Sequence, residues 1–277
     1  MKFKCLIFSK DRATQLLALL ESLEFMCEDF SELSVTVLYK TSSTQHEEQY
    51  STLKSLYANI DFRQESNFEK DVGCILSNAE YILFLVDDCI FINSFRILDV
   101  VDTLAKHPDS IGFSLRLGRN ISYCYPFDCI QKQPTFNEVD RKMLKYNWLL
   151  SEYDFGYPMD VSSSIYRVKD ILLLLSETKF NTVNALEGVL WAKCKIFKDT
   201  KQYLICFDTG CAFCNPLNVV SSIRTNKNRR SNKQEYKIDS LFEKFNQGYR
   251  IDVTKFFNLV PIGCHQESDL TWIKRDE

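Results

Sequence analysis

The stretch Tyr81-Ile82-Leu83-Phe84-Leu85-Val86-Asp87-Asp88 decides how the rest of the chain is read. Six apolar residues without alternation mark a strand buried on both faces, and such strands belong to parallel sheets covered by helices. Two carboxylates end the run. Dry and unpaired they would be costly. At the carboxyl end of a strand in an open α/β sheet they lie where such folds bind ligands. Oxygen ligands there can hold a divalent cation, and the cation can clamp a diphosphate. The local alternative is a helix cap, since Asp caps well and a helix begins downstream. A cap uses one Asp and leaves the other unexplained.

Working outward, Phe3 to Phe8 is a second apolar strand, followed by the polar turn Ser9-Lys10-Asp11-Arg12. Gln15, Leu16, Leu17, Leu19, Leu20 and Leu23 then recur at helical spacing. Residues 33–39 alternate and are β-branched, which predicts a strand. The pattern continues with a helix over 44–57, a short strand near 60–63 and a helix over 68–79. After the two aspartates come a helix over 94–106 and a strand over 111–115. Alternating strands and helices predict an α/β fold: an open, mostly parallel, Rossmann-like sheet flanked by helices.

The second half is less regular. Residues 119–158 are aromatic and polar with scattered prolines; a strand is expected over 161–167 and helices over 170–176, 186–194 and 238–245. Residues 224–237 hold six basic residues against one acid and read as a loop. No repeat or linker interrupts the chain, so one domain over 1–277 is expected, with halves at 1–118 and 119–277.

A net charge of −3 gives no reason to expect nucleic acid as a partner. No apolar run reaches the ~18 residues of a membrane span, and the N-terminal run is too short for an export signal, so a cytoplasmic protein is expected. In that setting the eleven Cys read as reduced, buried thiols. Only eight Gly are present, which argues against a glycine-rich phosphate loop.

The run Phe84-Leu85-Val86-Asp87-Asp88-Cys89-Ile90-Phe91, with Leu6-Ile7-Phe8-Ser9-Lys10-Asp11-Arg12 before it, resembles the acidic motif and first donor-binding turn of GT-A glycosyltransferases, family 2-like. The order of elements between them also matches. The similarity spans roughly the first 115 residues closely and the remainder loosely. It departs at Cys89, where a third acid is usual, so metal dependence is left open. The resemblance implies a glycosyltransferase of polysaccharide biosynthesis, with a nucleotide-sugar donor, a glycan or lipid-linked saccharide acceptor and Mg²⁺ or Mn²⁺. It places Ser9, Lys10, Asp11, Arg12 and Asp87 on the nucleotide and Asp88 on the metal, with residues 119–158 on the acceptor side. A late histidine, here His265, would return to the metal, and imidazole is a good ligand beside carboxylate; a structural histidine is the alternative. Glu267 would support it.

Inversion by direct displacement needs a base for the acceptor hydroxyl. Family members place an acid at the start of an acceptor-side helix, and Glu187 resembles it, with Asp160 as the other candidate. A retaining enzyme would need neither. Arg224, Lys227, Arg229 and Arg230 could close on the donor phosphates, or 224–237 could be a solvated loop or meet an anionic membrane at its inner face. Cys206, Cys211 and Cys214 raise a structural zinc, although one Cys-x-x-Cys pair is a weak signal. Two other functions fit the same residues. A sugar nucleotidyltransferase would carry glycine in the Ser-Lys-Asp-Arg turn, which this chain lacks. A non-catalytic glycan-binding module would accommodate Cys89.

Overall fold

The computed structural model describes residues 2–218 and 233–275. Its centre is a nine-stranded sheet. Strands β1 (Phe3–Lys10), β2 (Ser34–Lys40), β3 (Asp61–Gln64) and β4 (Tyr81–Val86) pair in parallel in the order β3-β2-β1-β4. The connections are α1 (Ala13–Met26), α2 (Thr44–Leu56) and α3 (Phe68–Leu76). Both faces of β4 are covered, and Ile82 to Leu85 are fully buried, which explains the unbroken apolar run.

Beyond β4 the order continues with Ser164–Arg167, β6 (Ser110–Ser114), Tyr203–Phe207, Met143–Asn147 and Asn137–Glu138. Ser164–Arg167 and Met143–Asn147 run against the other strands, so the sheet is mixed and mostly parallel. The short β5 (Cys89–Phe91) leaves this sheet and pairs with Ala212–Cys214. Helices α4 (Ile97–Lys106), α5 (Val168–Leu175), α6 (Val183–Lys193) and α7 (Ile238–Asn246) complete the regular elements used below.

Helix α1 is buried almost all round. Leu16, Leu17, Leu19, Leu20 and Leu23 pack into one large core while Ala18 faces another. A helix with partners on several sides needs no polar face, and each fully buried Leu contributes roughly 2 kcal/mol.

Several boundaries differ from expectation. Helix α4 starts at Ile97, because the Asp29 carboxylate accepts from Ile97 N at 2.7 Å and Leu98 N at 3.0 Å. That cap comes from another segment, so the local explanation of Asp87 and Asp88 as caps for the downstream helix does not hold. The strand expected from 161 begins at Ser164, since Ser162 N is turned onto Asp160 Oδ1 and Ser163 has φ of +91°. The region 119–158, expected to be irregular, contributes Met143–Asn147 to the main sheet, held by Tyr203–Phe207.

Candidate functional site

Strands β1 and β4 are adjacent and parallel, with Phe8 opposite Val86. Their carboxyl ends therefore bring the turn 9–12 and the two aspartates together, as ligand crevices of open α/β sheets require. Asp87 is buried and saturated. Its Oδ2 accepts from Ser9 Oγ at 3.0 Å and Lys10 N at 3.2 Å, and its Oδ1 from Arg12 Nη1 at 2.9 Å. Arg12 also donates to the Asn218 carbonyl and lies 3.9 Å from Asp88 Oδ2. Burial works against its charge, but Asp87 and Asp88 more than offset this and push its pKa up. Asp11 faces the other way. It takes a left-handed backbone (φ +56°), which Asp tolerates better than most residues, and its carboxylate accepts from Ser42 N at 2.7 Å.

Asp88 differs from its neighbour. One of its oxygens, Oδ1, is buried with no hydrogen-bond partner. Burial pushes its pKa up to about 6; Arg12 and Arg116 pull it down and Asp87 adds to the rise. A buried carboxylate oxygen without a donor is a place where a cation or hydrogen-bond donor belongs.

Across from this pair is a second ion pair. Arg116, just beyond β6, is buried and reaches Asp160 Oδ1 at 3.1 Å through Nη2 and Cys214 Sγ at 3.3 Å through Nη1. Burial opposes the charge on Arg116, and Asp160 overrides this and holds its pKa well above the ordinary value. Asp160 accepts from Ser162 N at 2.8 Å and Ser164 Oγ at 2.6 Å, so both of its oxygens are engaged.

His265 joins through the backbone. It bridges Cys214, whose N donates to the Cys264 carbonyl at 2.9 Å. Its Nδ1 is buried without a partner, and burial, with the charge of Arg116, lowers its pKa to about 3. A neutral imidazole is the form that binds a metal. Glu267 accepts from Tyr125 OH at 2.5 Å, and the Tyr125 ring lies 6.2 Å from that of His265.

Glu187 is half-buried on α6. Burial and then the Asp160 charge hold the Tyr166 hydroxyl well above its usual pKa, and Glu187 adds to this. Tyr166 in turn donates to the carbonyls of Pro158 at 3.0 Å and Asp160 at 2.8 Å. Arg224 and Arg229, with the rest of 219–232, lie outside the described residues.

The residues fit a hard divalent cation in one specific way. Ligand atoms of Asp88, Cys89 and Cys214 lie within 4.8 Å of one another. The Cys214 thiol contacts Cys89 Sγ at 3.3 Å and Arg116, and burial holds its pKa well above the usual range. That leaves Asp88 as the available oxygen ligand of the trio. Mg²⁺ commonly binds through one or two carboxylates plus substrate phosphates, so a single open carboxylate suffices. Neither Cys206 nor Cys211 joins this group, which separates the Cys-x-x-Cys pair from a zinc arrangement.

Sequence reasoning missed Tyr50, Arg116 and Asn218, and singled out Cys214 only as part of a Cys-x-x-Cys pair. Tyr50 OH lies 2.5 Å from Ser9 Oγ and accepts from Arg12 N at 3.3 Å. Only Arg116 left a signal: it is a charge between Leu115 and Leu117, as conspicuous as the aspartates after Val86.

No family model matches the chain. It is 29% identical over 185 residues to the bifunctional glycosyltransferase pgtA of Dictyostelium discoideum, covering 61% of this chain and 24% of that protein. It thus spans about a quarter of the length of this curated relative. Among solved structures, S. aureus TarS 1–349 in complex with UDP superposes with a TM-score of 0.52 and 17% identity, over 78% of this chain and 62% of that one. A second TarS structure gives a TM-score of 0.51 at 17% identity, over 78% and 37%. Strand order, the acidic end of β4 and these likenesses together establish that the chain has the GT-A-like glycosyltransferase fold.

Proposed function

We propose that the chain transfers a sugar from a nucleotide-diphosphate donor to a hydroxyl of a glycan or lipid-linked saccharide, with inversion and in a single displacement. One observation carries the reading. Of the nine buried side-chain polar atoms without partners among the described residues, four, Arg12 Nε, Asp88 Oδ1, Arg116 Nε and His265 Nδ1, belong to residues gathered around the carboxyl end of β4, and the other five lie elsewhere. Native proteins satisfy such atoms, and where several go unpaired in one place a polar ligand is the ordinary reason.

In this reading Ser9, Lys10 and Arg12, fixed by Asp87, shape the wall for the nucleotide. Asp88 and His265 would hold Mg²⁺ or Mn²⁺, which when bound supplies positive charge to the departing diphosphate. Arg12 and Arg116 add fixed positive charge that needs no reorganisation during reaction. Asp160 anchors Arg116, since both of its oxygens are occupied, and Glu187 takes the acceptor proton. The relative is a glycosyltransferase by name and the TarS structure holds UDP, which supports the same donor chemistry.

The test is a thermal-shift screen with UDP-, GDP-, CMP- and dTDP-sugars, with and without Mn²⁺, followed by turnover of whichever donor stabilises the protein. A ligand at 100 times its Kd should stabilise the fold by about 2.7 kcal/mol. Asp88→Ala should abolish turnover, and equal turnover in variant and wild type would reject the assignment. Pyrophosphate release from a nucleoside triphosphate would indicate nucleotidyl transfer instead.

A further inference from the structure

Helix α5 turns a stripe of side chains outward. Lys169, Leu172, Leu173 and Ser176 recur at i, i+3, i+4 and i+7, and all four are exposed. Val168, Ile171 and Leu174 are buried on the opposite side. Leu172 is 45% exposed and Leu173 53%. Lys, Gln and Glu form helices nearly as well as Leu, so helix propensity does not call for two adjacent leucines in water.

The segment after α6 lies alongside this stripe, and two contacts fix its course. Lys193 Nζ, at the end of α6, donates to the Ser176 carbonyl at 2.8 Å. Lys201 Nζ lies 3.2 Å from Asp170 Oδ2, at the start of α5. Residues 193–201 therefore run back along α5, from its last turn to its first. On the way, the short helix Cys194–Phe197 buries Cys194 and Phe197 and exposes Lys195 and Ile196, the isoleucine by 57%. Leu172, Leu173 and Ile196 thus belong to one face.

The charge around that face is one-sided. From 168 to 200 the exposed charged residues are Lys169, Lys179, Lys195 and Lys198 against Glu177 and Asp199. None of these four lysines has an ion-pairing carboxylate among the described residues. The whole chain carries −3, so the positive excess is local. Protein–protein interfaces are poor in Lys and rich in aromatic residues, Met and Arg. The face offers Leu, Ile and Lys instead. Aliphatic side chains ringed by lysines suit an anionic lipid surface, where the ammonium groups meet phosphates and the apolar side chains enter the headgroup boundary.

We propose that this face of α5 and residues 194–198 docks the protein on a membrane rich in anionic phospholipid. No helix among the described residues is long and apolar enough to cross a membrane, so the contact is peripheral. Docking is independent of which donor the crevice at the end of β4 takes. For a lipid-linked acceptor it places enzyme and acceptor on one surface.

The experiment is co-sedimentation of the full chain with vesicles of phosphatidylcholine alone, and of phosphatidylcholine with about one-third phosphatidylserine. Wild type should bind the second and not the first, and binding should fall as salt is raised. Lys195→Glu with Lys198→Glu should weaken binding about tenfold or more. Leu172→Ser with Leu173→Ser should weaken it about tenfold. Both pairs are exposed, so melting temperature and nucleotide thermal shifts should stay as in wild type. Arg229→Glu with Arg230→Glu, in the basic loop, should weaken vesicle binding less than either pair. The absence of wild-type binding to the phosphatidylserine vesicles overturns the proposal, as does equal binding to both compositions. So does binding that survives both face variants or is lost chiefly in the loop variant. A solution dimer dispersed by Leu172→Ser with Leu173→Ser, without vesicle binding, would show a second copy of the chain to be the occupant and overturn the membrane assignment. Vesicle binding by a protein that responds to no nucleotide would leave the docking face standing and remove the glycosyltransferase reading.

Discussion

Two buried ion pairs flank Asp88, and they are built differently. Arg12–Asp87 joins the ends of neighbouring parallel strands; its carboxylate is also held by Ser9 and by a backbone amide. Arg116–Asp160 joins a segment beyond β6 to a turn before Ser164, and its carboxylate takes Ser162 N and Ser164 Oγ. The first pair is set by sheet register. The second is set by side chains from segments that have no regular structure of their own. Buried pairs of either kind are weak evidence of net stability, because desolvation offsets their attraction. Breaking one and leaving a charge behind is costly, and the two pairs should differ in how costly.

The largest effect is expected from Arg12→Met. It strands Asp87, which is only 4% exposed, and should cost about 3–5 kcal/mol in chemical denaturation. Adding Asp87→Leu should recover most of that loss, whereas an uncorrected loss would mean that Arg12 stabilises through its bond to Asn218 rather than through Asp87. Asp88→Asn should act in the opposite direction. Its folded pKa of about 6 lies above the ordinary aspartate value of 3.8, so the folded state binds the proton more tightly. Stability is therefore lost as pH rises from about 4 through 6. Removing the charge should stabilise the ligand-free protein by about 2–3 kcal/mol at pH 7, a gain that fades toward pH 4. A gain independent of pH would show that the strain is not electrostatic.

Arg116→Met should cost less than Arg12→Met, about 1–3 kcal/mol, since Asp160 keeps a hydrogen bond on each oxygen, whereas Asp87 keeps both of its remaining bonds on Oδ2 and leaves Oδ1 bare. Equal losses would erase the contrast between the pairs. The smallest change belongs to the exposed pair Arg63–Asp61, where Arg63→Gln should shift stability by less than about 0.5 kcal/mol.

The same contrast explains what could be read from the chain. Strands β1, β2 and β4 announce themselves because their cores are continuous apolar or alternating runs, and the end of β4 announces its ligand-binding edge because two charges follow it. Met143–Asn147 is silent, since Lys145 and Asn147 interrupt it and its place depends on Tyr203–Phe207, some 60 residues away. The turn 9–12 and Asp87 were legible as neighbours because parallel pairing follows from the strand order. Arg116, Asn218 and Tyr50 were not, because their partners are fixed by long connections that no local pattern encodes. Asp160 was legible as an important acid, but its saturation by Ser162, Ser164 and Arg116 appears only in three dimensions.

Strand Ala212–Cys214 lies on β5 and is itself bridged by His265. The crevice is therefore closed by residues far along the chain from its floor, residues 9–12 and 87–88. During synthesis the sheet end must wait, with two aspartates and an arginine exposed to water, for a segment nearly 180 residues downstream. Contacts of such separation form slowly, so hydrogen exchange during refolding should show the amides of β1 and β4 protected well before that of Cys214.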